Sequence, residues 1–159
     1  MLCKCIFYLT DVLTQAAPHM KLSKYSDYAM RVMIYLGARD GELSSIAEIA
    51  KTFSISQNHL MKIVQDLAAS GFVETVRGRN GGIRLPRPPA EINLGALVRH
   101  TEGTLALVDC TGCRIAPACG LPSIFNEALA AFLAIFDKYT IADLVERRSE
   151  FQRLLAAAA

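Results

Sequence analysis

The chain has 159 residues, 52% of them apolar, with 17 Lys and Arg against 15 Asp and Glu for a formal net charge of +2. That length fits one domain with an extra helix or arm, the apolar share is too high for a disordered chain, and no apolar run reaches the ~18–20 residues a membrane-spanning helix needs. Five cysteines in a chain with no clear export signal argue against a disulfide-stapled secreted domain.

Residues 1–19 stand apart. Lys4 and the apolar stretch after it imitate a short export signal, but Asp11 interrupts the run and no good cleavage site follows. The segment reads as an N-terminal extension or a misassigned start, with Cys3 and Cys5 as bystanders. From Met20 the pattern is helical: Tyr25, Tyr28, Ala29, Val32, Met33 and Leu36 share one face, opposite Arg31 and Arg39, and Asp40-Gly41 is the stop. Ser45 and Glu48 form a capping-box pattern for a second helix with Ile46, Ile49, Ala50 and Phe53 inward. After a tight turn, Ser56 caps a third, whose stripe is Leu60, Ile63, Val64 and Leu67 and whose stop is Gly71. Phe72 to Arg77 and Ile83 to Leu85 are predicted strands joined through Asn80-Gly81, and Pro86, Pro88 and Pro89 end the second. A hairpin directly after a helix-turn-helix is the layout of a winged helix. A short helix over 93–102, a loop over 104–120, a long helix over 121–139 and a last amphipathic helix from the Thr140-x-x-Asp143 cap towards Leu155 complete the chain. The fold class is therefore mainly α with a small β-hairpin wing, divided into an extension (1–19), a winged helix-turn-helix domain (20–90), a linking helix and cysteine loop (91–120), and a dimerisation helix with a C-terminal helix (121–159).

The charge is unevenly spread. Residues 20–90 hold ten basic and six acidic side chains, and residues 91–159 six basic and eight acidic. Arg77, Arg79, Arg84 and Arg87 occur with no acid between Glu74 and Glu91, a strip that phosphate backbone attracts by counterion release and that a hairpin tip can carry into a groove. Gln57, Asn58, His59 and Lys62 sit around the start of the third helix, where recognition helices read base edges. Lys21, Lys24 and Tyr25 are candidate phosphate contacts, and Asn80 and Gly81 belong to the wing tip.

Cys110, Cys113 and Cys119 fall within ten residues on a Gly- and Pro-bent loop. Three thiolates so placed can converge on one site, and soft sulfur selects zinc, copper(I) or iron–sulfur clusters. A bare C-x2-C also occurs in thioredoxin-like redox sites, but those need a βαβ setting that is missing here. No histidine follows His100, so a four-coordinate site would take an oxygen ligand or a group from a partner chain. An oxygen ligand on sulfur-bridged iron would leave the site open to attack and suit it to sensing.

The segments Lys21–Ala29, Ser56–Val64, Val76–Leu85, Ile115–Cys119 and Tyr139–Val145 resemble the Rrf-type winged-helix transcriptional regulators, and among them the nitric-oxide-sensing repressors. The resemblance covers about residues 20–150. It implies a non-enzymatic, cytoplasmic bacterial homodimer that represses from a palindromic operator in double-stranded DNA. It further implies an iron–sulfur cluster, [2Fe–2S] or [4Fe–4S], on Cys110, Cys113 and Cys119, with Asp27 of the partner subunit as fourth ligand. Nitric oxide would nitrosylate the cluster, release the operator and switch on detoxification genes. The family pattern holds its first two cysteines farther apart than Cys110-x2-Cys113, so this chain either strains the loop or uses Cys110 in a shifted register. An iron- or redox-responsive regulator of the same family is the nearest alternative. A zinc-stabilised interaction module and an iron–sulfur redox protein are the alternatives from other classes; the second would have no need of the arginine strip.

Overall fold

Ser23 opens the first helix by accepting a hydrogen bond from Ser26 N at 3.1 Å, the side-chain cap that a helix start requires. In the computed structural model, residues 21–39, 41–79 and 81–157 are described; the expectations for residues 1–19, for Asp40 and for Asn80 lie outside them. The elements in chain order are α1 (Lys24–Ala38), α2 (Ile46–Phe53), α3 (Gln57–Ala69), β1 (Glu74–Val76), β2 (Gly82–Arg84), a 3-10 turn (Pro89–Glu91), α4 (Leu94–Glu102), a second 3-10 turn (Ala116–Ala118), α5 (Leu121–Phe136), α6 (Ile141–Leu144) and α7 (Arg148–Ala157).

α1 is the hub. It packs against α2, α3, α4, α6 and α7, so burial widens from one stripe at its start to four consecutive buried residues, Tyr35 to Ala38, at its end. Tyr35, absent from the expected apolar face, is buried because its hydroxyl donates to Glu48 at 2.6 Å. That contact also corrects the expected capping box on α2. Ser45 does accept from Glu48 N, but the Glu48 carboxylate turns to Tyr35 and to Arg39, 2.8 Å away, and not back to the helix start. Ser56 precedes α3 without a side-chain cap bond. The helix is held by the burial of Leu60, Ile63, Val64 and Leu67.

The hairpin pairs Glu74 with Arg84, Thr75 with Ile83 and Val76 with Gly82, one residue earlier on the return strand than the sequence pattern predicts. On the other side of β2, Ser44 exchanges backbone hydrogen bonds with Ile83 at 3.0 and 2.9 Å, which locks the wing to the chain ahead of α2. The strands end at Val76 and begin again at Gly82. Gly78 supplies a left-handed residue between them at φ +121. Gly81 is needed for space, because a Cβ there would fall on Val76 O.

The C-terminal third folds back on α1. Asn93 caps α4 and also donates to Asp137 O at 2.9 Å, while Leu94 N donates to Tyr139 O and Ile141 N to Ile92 O. The expected single helix from Thr140 to Leu155 is split in two. Ile141 and Val145 are buried against Gly37, whose flat surface admits them. The chain then bends, and Arg148 and Gln152 donate to the carbonyls of Gly37 and Ala38 at 3.3 and 3.0 Å. These carbonyls at the end of α1 have no partners within the helix, and α7 supplies them.

α5 differs from every other long helix here: it is mostly apolar, yet none of its residues is buried within the chain. Ile124 is 63% and Ile135 51% exposed. No helix among the described residues is long and apolar enough to cross a membrane.

Leu97 of α4 is fully buried in the shared core. Leu97→Ala is expected to cost about 2–5 kcal/mol, seen as a lower urea midpoint with an unchanged denaturant slope.

Candidate DNA interface and cysteine loop

The start of α3 is polar because nothing in the domain covers it: Gln57, Asn58, His59 and Lys62 are all exposed. Helical spacing places Asn58, Met61, Lys62 and Gln65 along one outer face. Together with Thr75 and Arg77 of the wing they line a groove of about 730 Å³. Met61, Gln65 and Thr75 were not among the sequence candidates, although the signal existed. Met61 and Gln65 lie three and seven residues beyond Asn58, on the face opposite the Leu60–Leu67 stripe, and Thr75 is the outward residue of a three-residue strand.

The arginines of the strip divide into two kinds. Arg77, Arg79 and Arg87 are exposed and make no ion pair among the described residues. Arg84 is engaged across the hairpin, its Nε 2.7 Å from Glu74 Oε2. The Glu74 carboxyl is held below the usual carboxylate range by that hydrogen bond. Gly81 sits at the wing tip, closing the turn by donating to Gly78 O at 3.0 Å.

At the opposite end of α3 lies a polar junction that the sequence reading did not foresee. Tyr25 donates to Asp66 Oδ2 at 2.5 Å, and His100 Nε2 lies 2.7 Å from the same oxygen and 3.2 Å from Ser70 Oγ. One carboxylate on α3 thus ties together α1 and α4. Burial and the Asp66 bond together hold the Tyr25 phenol well above its ordinary value, and the Tyr25 bond in turn draws Asp66 below the usual 3.8. Tyr25 is consequently occupied as a strut, whereas Lys24 and Lys21 stay exposed beside it. These partners are 41 and 34 residues apart, which no local pattern encodes.

The cysteine loop leaves α4 at Gly103 and reaches α5 at Leu121. Cys110, Cys113 and Cys119 are free thiols, Cys113 exposed and the other two half-buried. Backbone turns link them: Cys113 N donates to Cys110 O, Ala116 N to Cys113 O and Cys119 N to Ala116 O, at 3.2 to 3.3 Å. Among the described residues no group of three His, Cys, Asp or Glu side chains lies close enough to hold a metal ion. One chain by itself therefore does not bring the three thiols together with Asp27. Asp27 sits in the first turn of α1 with its side chain 47% exposed, ion-paired at 3.0 Å to Arg31 one turn on.

A family model described as Rrf2, iron-dependent transcriptional regulator, matches residues 22–147. The HTH-type transcriptional regulator NsrR of Bacillus subtilis (strain 168) is 51% identical over 142 residues, covering 86% of this chain and 97% of that protein. The protein of the same name from Geobacillus kaustophilus is 50% identical with the same coverage. Among solved structures, CymR (YrzC), the global cysteine regulator of B. subtilis, superposes with a TM-score of 0.65 at 27% identity over 81% of this chain and 98% of its own. T. potens IscR superposes with a TM-score of 0.67 at 26% identity over 84% of this chain and 91% of its own.

Arg79→Ala should weaken binding to duplex DNA and flatten the dependence of log K on log salt by about 0.9, measured by titration at several salt concentrations. Arg84→Ala should flatten it less, since Arg84 is already engaged with Glu74. Asp66→Ala should cost about 1–2 kcal/mol of folding stability, at the low end for a charged hydrogen bond because the side chain is 46% exposed. Asp66 titrates lower in the folded than in the unfolded chain, so its contribution is full above pH 3.8 and is lost as the pH falls below it. Urea midpoints of wild type and variant should therefore converge in acid.

Proposed function

The chain belongs to the Rrf2 family of transcriptional regulators, and from that premise we propose that it is a homodimeric, DNA-binding repressor that senses nitric oxide through an iron–sulfur cluster. The observation that carries the reading is the presence, in one small chain, of an exposed recognition helix beside unpaired wing arginines and of three free thiols at the head of an uncovered helix.

Gln57, Asn58, His59 and Lys62 face the base edges in the major groove, and the α3–wing groove takes the phosphates, with Arg77, Arg79, Asn80 and Gly81 at the wing and Lys24 alongside. Arg84 holds the wing in register and contributes to the field more than to a direct contact. Operator recognition by two such heads needs them at a fixed separation, which a dimer joined along α5 supplies. Apolar residues on two faces of that helix, none buried by the chain itself, support this pairing.

Cys110, Cys113 and Cys119 are the ligands on one subunit, and Asp27 of the partner subunit completes the set. The donors fit in kind: three soft, unpaired thiols and an accessible carboxylate whose only described ion partner is Arg31 on the same helix. When bound, the cluster supplies iron that nitric oxide attacks. As a ligand, the Asp27 carboxylate would have to leave its ion pair with Arg31. Because α1 is the helix on which α3 packs and to which Tyr25 ties Asp66, a change at Asp27 acts on the seat of the reading helix.

Anaerobically purified protein is expected to be brown, to shift an operator fragment, and to lose both colour and binding on addition of nitric oxide. A colourless protein with one tightly held zinc would overturn the cofactor. Asp27→Ala should weaken the response; operator binding that remains equally sensitive to nitric oxide would remove Asp27 from the switch. Ile124→Glu should convert the dimer to a folded monomer in sedimentation and abolish high-affinity operator binding.

A further inference from the structure

The short Cys110-x2-Cys113 spacing has a local geometry of its own. Cys113 N donates to Cys110 O at 3.2 Å, and Gly112, the third residue of the four, has φ +73. A bond from residue four to residue one with glycine in that conformation third is the signature of a type II turn, which holds the end residues within about 7 Å, the Cα range that a disulfide spans. Asp109 Oδ1 accepts from Thr111 N at 2.9 Å and braces the turn from outside. Cys119 follows on two further turns, beyond the Ala116–Ala118 segment. Proximity therefore favours closure of Cys110 with Cys113 over closure of either with Cys119.

We propose that Cys110 and Cys113 form a reversible dithiol–disulfide pair, oxidised by low-molecular-weight disulfides of the glutathione class. Cys113, the exposed member, attacks the small disulfide as thiolate, forming a mixed disulfide and releasing one small thiol. Cys110 then attacks the Cys113 sulfur, closing the protein disulfide and releasing the second small thiol. Two protein S–H bonds and one small-molecule S–S bond are exchanged for one protein S–S bond and two small-molecule S–H bonds, with two electrons passing to the oxidant. Cys119 stays free. The consequence for regulation rests on the reading that these thiols hold the cluster: closure withdraws two of its three sulfur ligands, so the cluster-free protein cannot be reloaded until it is reduced.

The test begins with full-length, cluster-free, reduced protein treated anaerobically with glutathione disulfide, then alkylated and cut with trypsin. Cleavage after Arg99 and Arg114 leaves Cys110 and Cys113 in the peptide 100–114 and Cys119 in 115–138. The expected product is an unalkylated 100–114 peptide lighter by two hydrogen masses, with Cys119 alkylated. Cys110→Ala should instead stop at a single glutathione adduct on 100–114. A cross-link between the two peptides, or 100–114 with both thiols alkylated, would overturn the pairing. Oxidised and reduced samples are then given ferrous iron and sulfide. Loss of visible absorbance uptake in the oxidised sample, restored by dithiothreitol, supports the block on reloading, and equal uptake overturns it. If even the reduced sample takes up no cluster while the disulfide still forms, the cluster reading and the block fall and the dithiol pair stands.

Discussion

The burial of α1 is the constraint on which the rest of the molecule depends. Ala29, Val32, Met33 and Leu36 are at most 2% exposed, and five other helices use this one as their seat. A helix so enclosed cannot rotate without disturbing each neighbour, because protein interiors are close-packed and move between discrete arrangements. One side of its start is nevertheless open: Asp27 and, a turn further on, Arg31 stay about half exposed, although Ser26 and Ala29 beside them are fully buried. The same rigid rod thus carries an accessible carboxylate on one side of its start while Tyr25, two residues earlier, ties it to α3.

The second coupling between these parts is the Asp66 carboxylate. It lies near the C-terminal end of α3, opposite the turn that faces the groove, and accepts hydrogen bonds from α1 and α4. A helix fixed at its rear by a charged junction and along its flank by Leu60, Ile63, Val64 and Leu67 projects its first turn as a rigid extension of the core. Specific readout needs that rigidity, since bidentate contacts to bases are short and directional. The wing is pinned by a separate device, the backbone exchange between Ser44 and Ile83. Both reading elements are therefore referred to the same domain core by different bonds.

Much of this was legible in the sequence, and the parts that were not share a cause. Helices α1 to α4 and the hairpin follow from apolar spacing, the Ser45 cap and the glycine-rich turn, all of them interactions within a few residues. The sequence reading failed wherever a distant partner intervened. Glu48 abandons the predicted capping box for Tyr35 and Arg39. Tyr25 is tied to Asp66, a partner 41 residues away that no local pattern announces. The helix predicted from Thr140 onward breaks because Ile141 and Val145 must reach Gly37 while Arg148 and Gln152 must reach the end of α1. The cysteines were conspicuous as a set, but their spacing conceals that Cys110 and Cys113 close a turn of their own.

The geometry of α4 and α5 explains why the thiols are carried away from the core. Arg99 grips Asp137 with two hydrogen bonds, and Asn93 holds the carbonyl of the same residue. A Cβ at Gly95 would fall on Asp137 Oδ1, so that position admits no side chain without breaking the grip. The end of α5 is thereby fastened to α4. With 9 residues in α4 and 16 in α5, their lengths at 1.5 Å per residue are about 14 and 24 Å. α5 is thus about 10 Å the longer, and its first turns, which carry Leu121 at 46% and Ile124 at 63% exposure, lead directly out of the cysteine loop. Apolar side chains left uncovered in this way are unfavourable in a lone chain, and a second copy laid against them would remove that cost.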